Sequence, residues 1–149
     1  MIGGVNLKLI DTLPKLKWVQ ITGAGAEYYT FSEEFRKSPI TLTNCKIVQG
    51  PEIADHAMAL LLTLTRQMNK ALRDMQTEVW PTESYSPLEL NGKTALVVGV
   101  GGIGIQIAVR AHAFGMTIIG VDPKDMPFTP SLSRVVPPTA SIASCPWLT

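Results

Sequence analysis

The sequence has few cysteines and histidines, which excludes several kinds of site. Only two cysteines, Cys45 and Cys145, and two histidines occur among the 149 residues. The cysteines lie far apart in the chain, outside any CxxC motif, and no pair of histidines lies near them. We therefore expect no disulfide framework and no metal site. Free thiols are typical of reducing compartments, so we expect a cytoplasmic protein.

The sequence also lacks an excess of charge and a long apolar run. Thirteen Lys and Arg against twelve Asp and Glu give a formal charge of +1, and the basic residues do not cluster. Nucleic acid is therefore not an expected partner. The longest apolar run, residues 57–62, is far shorter than the roughly 20 residues of a membrane span. Because 46% of the residues are hydrophobic, the chain can bury a core. Since the charge does not favour nucleic acid, we expect a partner that is a small molecule.

The first third of the chain predicts a strand, a helix and further strand structure. Residues 16–21 alternate around Trp18 and then break into the small residues 22–25, which is typical of a strand entering a tight turn. A helix is expected through Tyr28, Phe31 and Phe35. Pro39 stops it, and residues 40–48 carry enough β-branched side chains for one or two short strands.

A long amphipathic helix is expected next, over residues 51–75. Pro51 suits its first position, and apolar residues recur at spacings of three and four. Its middle, residues 60–62, is apolar nearly all round, which predicts burial between two layers of structure. The exposed apolar middle of this helix favours a homodimer if the rest of the fold is present.

The second half contains a strand, a helix and a strand in the order of a βαβ unit. Residues 94–98 are apolar without alternation, as expected of a parallel strand that is buried on both faces. A helix over residues 103–114 follows, Gly115 stops it, and residues 117–121 form a second apolar strand. The length, about thirty residues, is that of one βαβ unit.

The turn between this first strand and the helix fits the pattern G-x-G-x-x-G. Its first glycine permits the sharp turn, its second lets a pyrophosphate approach the backbone, and its third lets the helix pack on the strand. Amide groups at the helix start then bind the phosphates, and an acidic residue after the second strand holds the ribose hydroxyls. This predicts an NAD site made of Gly99, Gly101, Gly102, Ile103, Gly104 and Asp122.

The acidic residue also favours NAD over NADP. A 2′-phosphate would meet the negative charge of Asp122, although Lys124 could soften that discrimination. The alternative is an ordinary glycine-rich turn followed by a surface aspartate. Arg110 and His112 lie off the apolar stripe of the helix, where solvent exposure is a simpler interpretation than catalysis.

Residues 12–125 resemble the D-isomer-specific 2-hydroxyacid dehydrogenase family. The resemblance is carried by LKWVQ at 16–20 leading into GAGAE at 23–27, by EIADHA at 52–57 before LLL at 60–62, and by the glycine motif with Asp122. It implies an α/β fold, in which the first βαβ unit of a Rossmann-type parallel sheet is preceded by part of a flavodoxin-like substrate domain. The implied activity is hydride transfer between NAD(H) and a 2-keto or D-2-hydroxy acid.

The family resemblance also implies a place for the substrate. The turn Ala24, Gly25 and Ala26 would present backbone amides to the substrate carboxylate, and an ordinary turn is the alternative. His56 matches an acidic-His pair of the family, but it is interpreted as a packed or capping histidine. The catalytic Arg, Glu and His of the family match no residues here. The chain is therefore expected to bind NAD weakly at most and to turn nothing over.

The end of the chain changes character. Residues 126–149 hold five of the eleven prolines and no acidic residue, so no buried strand is expected there. An internal deletion, a shifted reading frame or a disordered tail would each explain this. The expected division is therefore a partial substrate domain at 1–49, an interdomain helix and the first part of the NAD-binding domain at 50–125, and an irregular tail at 126–149.

Two other functions stay open. The same fold also serves a transcriptional corepressor related to these dehydrogenases, so a non-enzymatic NAD-sensing or interaction module is the main alternative. Another Rossmann enzyme, such as an adenosylhomocysteinase-like protein, would explain the glycine motif but not residues 18–62.

Overall fold

The computed structural model describes residues 2–4, 6–78, 80, 85–124 and 129–139. The chain divides into two compact units, Met1–Val48 and Gln49–Thr149. Each unit contains helices and a parallel sheet. The α/β fold with parallel strands that the sequence predicts is therefore confirmed.

The first unit is a small α/β unit with a two-stranded sheet. Ile2 adds an isolated parallel bridge to Gln20 beside this sheet. The core of the unit consists of Ile10, Val19, Ile21, Tyr29 and Phe35. In chain order, its elements are a 3-10 helix Leu7–Thr12, β1 Trp18–Gln20, α1 Glu27–Thr30, α2 Glu33–Lys37 and β2 Thr41–Thr43.

The helix expected after β1 is divided into two short helices. Ser32 separates them, and its hydroxyl oxygen accepts a hydrogen bond from the Phe35 N–H group at 3.2 Å. A serine at this position satisfies an N–H group that has no partner within the helix, and so begins a new helix. Of the strand structure expected over residues 40–48, β2 is the strand that forms.

The second unit contains a three-stranded parallel sheet with the order β3-β4-β5. Its core clusters around β4 and α5 and consists of Met58, Leu90, Val100, Ala108, Ala111, Met116, Ile118 and Leu132. In chain order, the elements are α3 Gly50–Thr65, α4 Met68–Gln76, β3 Thr94–Val98, α5 Gly102–Ala113, β4 Thr117–Val121 and β5 Arg134–Val136.

The long helix predicted over residues 51–75 is interrupted. Gln67 has a left-handed backbone conformation with φ +55°, which ends α3 and starts α4. Its side-chain oxygen accepts a hydrogen bond from the Ser86 N–H group at 3.0 Å, which helps to hold the break in place. The middle of the helix is also less buried than predicted, because the Leu60 side chain is 54% exposed.

The most buried strand of the second sheet is β4. Residues 118–121 are all buried, whereas β3 is half-buried and its last residue, Val98, is 69% exposed. The prediction that residues 94–98 are buried on both faces is therefore wrong. The apolar run reports a parallel strand correctly, but β4 is the central strand because β3 and β5 lie on either side of it.

A short strand occurs where an irregular tail was predicted. β5 pairs in parallel with β4, and Asp122 N–H donates to the Val136 oxygen at 3.1 Å just beyond the strand. The irregular tail predicted for residues 126–149 therefore contains a strand at 134–136, and this strand is not buried, as the sequence predicts. Two adjacent valines are enough for three residues of pairing, and Pro137 follows them directly. Cys145 and the rest of 140–149 lie outside the described residues.

The described ranges contain neither a candidate membrane span nor a candidate metal site. No helix in them combines the length and the apolar character that crossing a membrane requires. No group of His, Cys, Asp or Glu side chains in those ranges could hold a metal ion.

Candidate functional site

The loop between β3 and α5 begins with a glycine that the backbone requires. Gly99 has φ +85°, in the left-handed region that side chains disfavour. Its N–H group donates to the Val121 oxygen at 2.7 Å, so the pairing of β3 with β4 continues into the loop. The chain therefore turns sharply at the carboxyl edge of the sheet, which is where ligands bind in open α/β folds.

The last glycine of the motif is required by packing. A Cβ atom at Gly104 would lie 1.9 Å from the backbone oxygen of Gly99, a distance that no side chain tolerates. The start of α5 therefore lies directly against the loop. This close approach orients the first turn of the helix across the end of β3.

In the described part of the chain, neither the backbone nor the packing requires the middle glycine of the motif. Gly101 has φ −69° and ψ −162°, which any residue adopts, and a Cβ atom there would meet no atom of the described residues within 4 Å. The space beside its backbone is therefore open. No side chain in the described part of the chain caps the helix start at Gly101, so the N–H groups of Gly102 and Ile103 lie in an uncapped first turn. These features fit the pyrophosphate of a dinucleotide.

Asp122 lies beside this loop. Its carboxylate oxygen Oδ2 accepts a hydrogen bond from the Val100 N–H group at 3.0 Å, and Oδ1 accepts one from the Lys124 N–H group at 2.9 Å. The structure therefore brings together the glycine loop and the acidic residue that the sequence predicts for one site. A carboxylate offers about four acceptor positions. The two backbone donors leave room for ribose hydroxyls.

A small cavity adjoins Asp122 on the side of β5. Its volume is about 170 Å³, and it is lined by Asp122, Pro123, Lys124, Val135, Val136 and Pro137. Sequence reasoning missed the residues from β5, because the proline-rich composition around them indicated irregular structure. The repeated valines before the prolines were the available indication of a strand.

Val100 is a second residue that sequence reasoning missed. It occupies a variable position of the glycine motif, yet its side chain is completely buried and its N–H group contacts Asp122. A Cβ atom at Gly120 of β4 would lie 2.9 Å from Val100 Cγ1. A glycine in the middle of an apolar strand was the sequence feature that could have indicated this close contact.

The predicted substrate turn lies in the first unit. Ala24 and Gly25 are exposed, and the Ala24 oxygen accepts a hydrogen bond from the Asn44 amide at 2.6 Å. The Gly23 oxygen accepts one from the Cys45 N–H group at 3.1 Å. These bonds hold the turn after β1 against the segment after β2. Ala26 then serves as the N-cap of α1.

An acidic side chain lies close to this turn. A Cβ atom at Gly25 would lie 2.6 Å from the Glu27 carboxylate oxygen Oε2. A negative charge so close to the turn opposes the approach of a substrate carboxylate. Glu27 would therefore have to turn away, which its exposed position allows. The role predicted for Ala24, Gly25 and Ala26 stays a prediction.

The histidines do not form a catalytic pair in the described part of the chain. His56 lies in the middle of α3 and its side chain is exposed, so the prediction that it is packed or capping is wrong. His112 is exposed as predicted. Arg110 differs from the prediction, because its Nε donates to the Asp55 carboxylate at 2.5 Å and its Nη1 donates to the Gln106 side chain at 2.9 Å. Arg110 thus links α5 to α3.

The comparison with protein families gives one match. Residues 58–143, more than half of the chain, match the NAD-binding domain of the D-isomer-specific 2-hydroxyacid dehydrogenases. The match extends beyond the residues 12–125 in which the sequence resemblance was recognised. NAD as the cofactor of this domain is confirmed at the level of the family.

Individual proteins give the same result. The D-3-phosphoglycerate dehydrogenase of Mycobacterium leprae is 34% identical over 119 residues, which is 80% of this chain and 22% of that protein. Among solved structures, a D-isomer-specific 2-hydroxyacid dehydrogenase family protein from Aeromonas salmonicida has a TM-score of 0.78 and 28% identity. That likeness covers 89% of this chain and 41% of the other.

A glyoxylate reductase from Paecilomyes thermophila also resembles the chain. Its TM-score is 0.69 with 30% identity, over 81% of this chain and 37% of the other. The chain thus spans less than half the length of each of these three proteins.

Proposed function

The chain belongs to the D-isomer-specific 2-hydroxyacid dehydrogenase family, and from this premise we propose that it has an NAD site of the type that serves hydride transfer between the cofactor and a 2-keto or D-2-hydroxy acid. The observation that carries the proposal is the open space beside Gly101. Neither the backbone nor the packing of the described residues requires a glycine there, so we attribute it to a ligand. The uncapped start of α5 faces the same loop and suits an anionic group.

Three features of the site would bind different parts of the cofactor. The N–H groups of Gly102 and Ile103 would bind the pyrophosphate, and the Asp122 carboxylate would accept hydrogen bonds from the ribose hydroxyls. We assign the cavity of about 170 Å³ beside Asp122 to the adenosine part. A 2′-phosphate would meet the Asp122 charge, which supports the preference for NAD over NADP. Lys124, which lines the cavity, would reduce that preference.

The substrate class rests on the family and on one relative. One similar structure is named a glyoxylate reductase, and glyoxylate is a 2-keto acid. The NAD group accepts or donates the hydride when it is bound. This chain would contribute the turn Ala24, Gly25 and Ala26, whose amides would meet the substrate carboxylate once Glu27 has turned away.

We further propose that the 149 residues bind NAD without turnover. Reduction of a keto acid needs a cation on the carboxylate and a general acid for the new hydroxyl. In the residues that the structure describes, neither histidine forms an ion pair with an acidic side chain. Arg110 is engaged with Asp55. Binding without turnover is also the property of an NAD-sensing module, which remains the second candidate.

An exposed apolar surface on α3 supports a homodimer. Leu60 and Leu64 lie one turn apart on the helix and are 54% and 68% exposed. Exposed leucines on one helix face are typical of association surfaces. A second copy of this chain is the proposed occupant, because symmetric pairing is the commonest form of oligomer. A cytoplasmic location is proposed on the free thiol of Cys45.

A titration with NAD⁺ tests the proposal. The amide resonances of the 149-residue protein, labelled with ¹⁵N, are recorded as NAD⁺ is added. Gly101, Gly102 and Ile103 should shift, and Gly101→Ala should weaken binding by about tenfold or more, because its methyl group fills the space for the pyrophosphate. NADP⁺ should bind more weakly than NAD⁺.

The matched control is Gly23→Ala. It adds the same methyl group where no atom lies within 4 Å, but in the loop of the other unit. This variant should bind NAD⁺ like the unaltered protein. Equal binding by Gly101→Ala and the unaltered protein would contradict the proposed site.

A further inference from the structure

The Asp122 carboxylate connects two backbone segments. One oxygen holds the N–H group of Val100, inside the glycine loop, and the other holds the N–H group of Lys124, just after β4. Hydrogen bonds from N–H groups to a carboxylate are about twice as strong as those between neutral groups. A single side chain therefore links the phosphate loop to the end of the neighbouring strand.

Val100 is fixed from its other side as well. Its side chain is 0% exposed and packs in the core of the second unit, where Gly120 leaves the space for it. The side chain and the N–H group of Val100 are thus held by different partners. The residue that follows is Gly101, beside which the space is open. The orientation of Val100 therefore determines how the loop presents that space.

We infer that Asp122 is a positioning residue for the phosphate-binding loop, in addition to its proposed contact with the ribose. The carboxylate holds the Val100 peptide so that the following backbone stays open to a pyrophosphate. This inference rests on the proposed NAD site and deepens it. Pyrophosphate binding then depends on Asp122, although the Asp122 carboxylate makes no hydrogen bond to the pyrophosphate.

The inference predicts an effect opposite to that of simple charge. A carboxylate near an anion site repels the anion, so removing it should strengthen pyrophosphate binding if charge alone matters. If the carboxylate positions the loop, its removal should weaken that binding instead. Inorganic pyrophosphate is the suitable probe, because it has no ribose that could contact Asp122.

The experiment uses the ¹⁵N-labelled 149-residue protein and its Asp122→Ala variant. Loss of the carboxylate should weaken pyrophosphate binding, measured at the amides of Gly101 and Gly102, by about tenfold. Hydrogen exchange of the Val100 amide should accelerate by a similar factor. Glu89→Ala is the matched control, since it removes one exposed negative charge from the same unit and should change neither quantity.

Asp122→Asn covers the case in which the alanine variant does not fold. Its side chain keeps one oxygen but replaces the other with an NH2 group, which cannot accept, so one of the two N–H groups loses its partner. Pyrophosphate binding should fall by less than in the alanine variant, and it should still fall. Unchanged or tighter pyrophosphate binding by Asp122→Asn would overturn the inference.

A parallel NAD⁺ titration separates this inference from the proposed function. If NAD⁺ shifts no loop amide of the unaltered protein, the proposed function itself fails. If NAD⁺ binds and Asp122→Ala weakens NAD⁺ but not pyrophosphate, the contact with the ribose stands and the positioning role is wrong.

Discussion

Single residues in the glycine loop serve different physical purposes, although the motif presents them as one pattern. Gly99 is needed for a backbone angle, Gly104 for a close contact, and Gly101 for neither. Substitutions at the three positions should therefore fail in different ways. The difference can be measured because stability and cofactor binding are independent observables.

Gly104→Ala should destabilise the second unit. The added Cβ atom would lie 1.9 Å from the Gly99 oxygen, so either α5 or the loop must move. We expect the free energy of unfolding to fall by about 3 kcal/mol, the upper range for overpacked sites. Urea unfolding followed by circular dichroism measures this change.

The comparison for that measurement is Gly101→Ala. Because its methyl group meets no atom of the described residues within 4 Å, its free energy of unfolding should stay within about 0.5 kcal/mol of the unaltered protein. Equal stability of the two alanine variants would show that α5 does not lie against the loop as the structure has it.

At the scale of the elements, residues 85–88 stabilise the break between α3 and α4. The N–H group of Leu88 donates to the Thr65 oxygen at 2.7 Å, and that of Ser86 donates to Gln67. The Tyr85 hydroxyl donates to the Asp74 carboxylate at 2.5 Å, and the Lys70 ammonium lies 5.1 Å from the centre of the Tyr85 ring. This segment therefore fastens both helices at the point where the chain changes direction.

The Tyr85 hydroxyl should titrate above the usual pKa of tyrosine. Its hydrogen bond to Asp74 raises the pKa of Tyr85 above the usual 10.0, because the neutral hydroxyl donates to the carboxylate and the charged form cannot. The pKa is higher in the folded than in the unfolded chain. The stabilising effect is therefore complete below pH 10 and is lost as the pH rises through the raised pKa.

Absorbance of the tyrosinate ion against pH measures this titration. Asp74→Asn should return the pKa of Tyr85 towards its usual value and remove the associated loss of stability in alkali. Tyr85→Phe identifies which transition belongs to Tyr85, since Tyr28 and Tyr29 also absorb. If Asp74→Asn leaves the titration unchanged, the hydrogen bond does not exist in solution.

The sequence predicts the order of the elements better than their continuity. Periodicity locates β3, α5 and β4 because each has an uninterrupted local pattern. It misses the break at Gln67, because apolar spacing continues through a residue whose backbone alone differs. It also misses β5, whose pairing depends on β4 and not on local composition.

The same limit applies to the site. The glycine motif and Asp122 follow from sequence spacing, and the structure brings them within hydrogen-bonding distance. The contact itself is made by Val100 N–H, a backbone group that no side-chain pattern reveals. The buried side chain of Val100 and the space left by Gly120 are likewise tertiary properties.

At the scale of the whole molecule, the two units have separate cores. The described core residues of the first lie within Met1–Val48, and those of the second lie within Gln49–Thr149. The residues proposed to bind NAD all belong to the second unit, and those proposed to bind a substrate carboxylate belong to the first. The proposed chemistry therefore requires both units.

Association between copies should depend on α3. Leu64→Glu, alone or with Leu60→Glu, places charge on the proposed apolar surface and should convert a dimer to a monomer in sedimentation velocity experiments. Phe31→Glu is the control, because Phe31 is an exposed apolar residue of the other unit. A monomer at all concentrations for the unaltered protein would contradict the proposed dimer.

The open space beside Gly101 has a consequence for descent. Because none of the residues that the structure describes demands a glycine there, we expect the ligand to restrain this position from accepting a larger side chain over time. Gly99 and Gly104 would persist in any descendant that keeps the fold. A lineage that no longer binds a dinucleotide should therefore lose Gly101 before it loses Gly99 or Gly104.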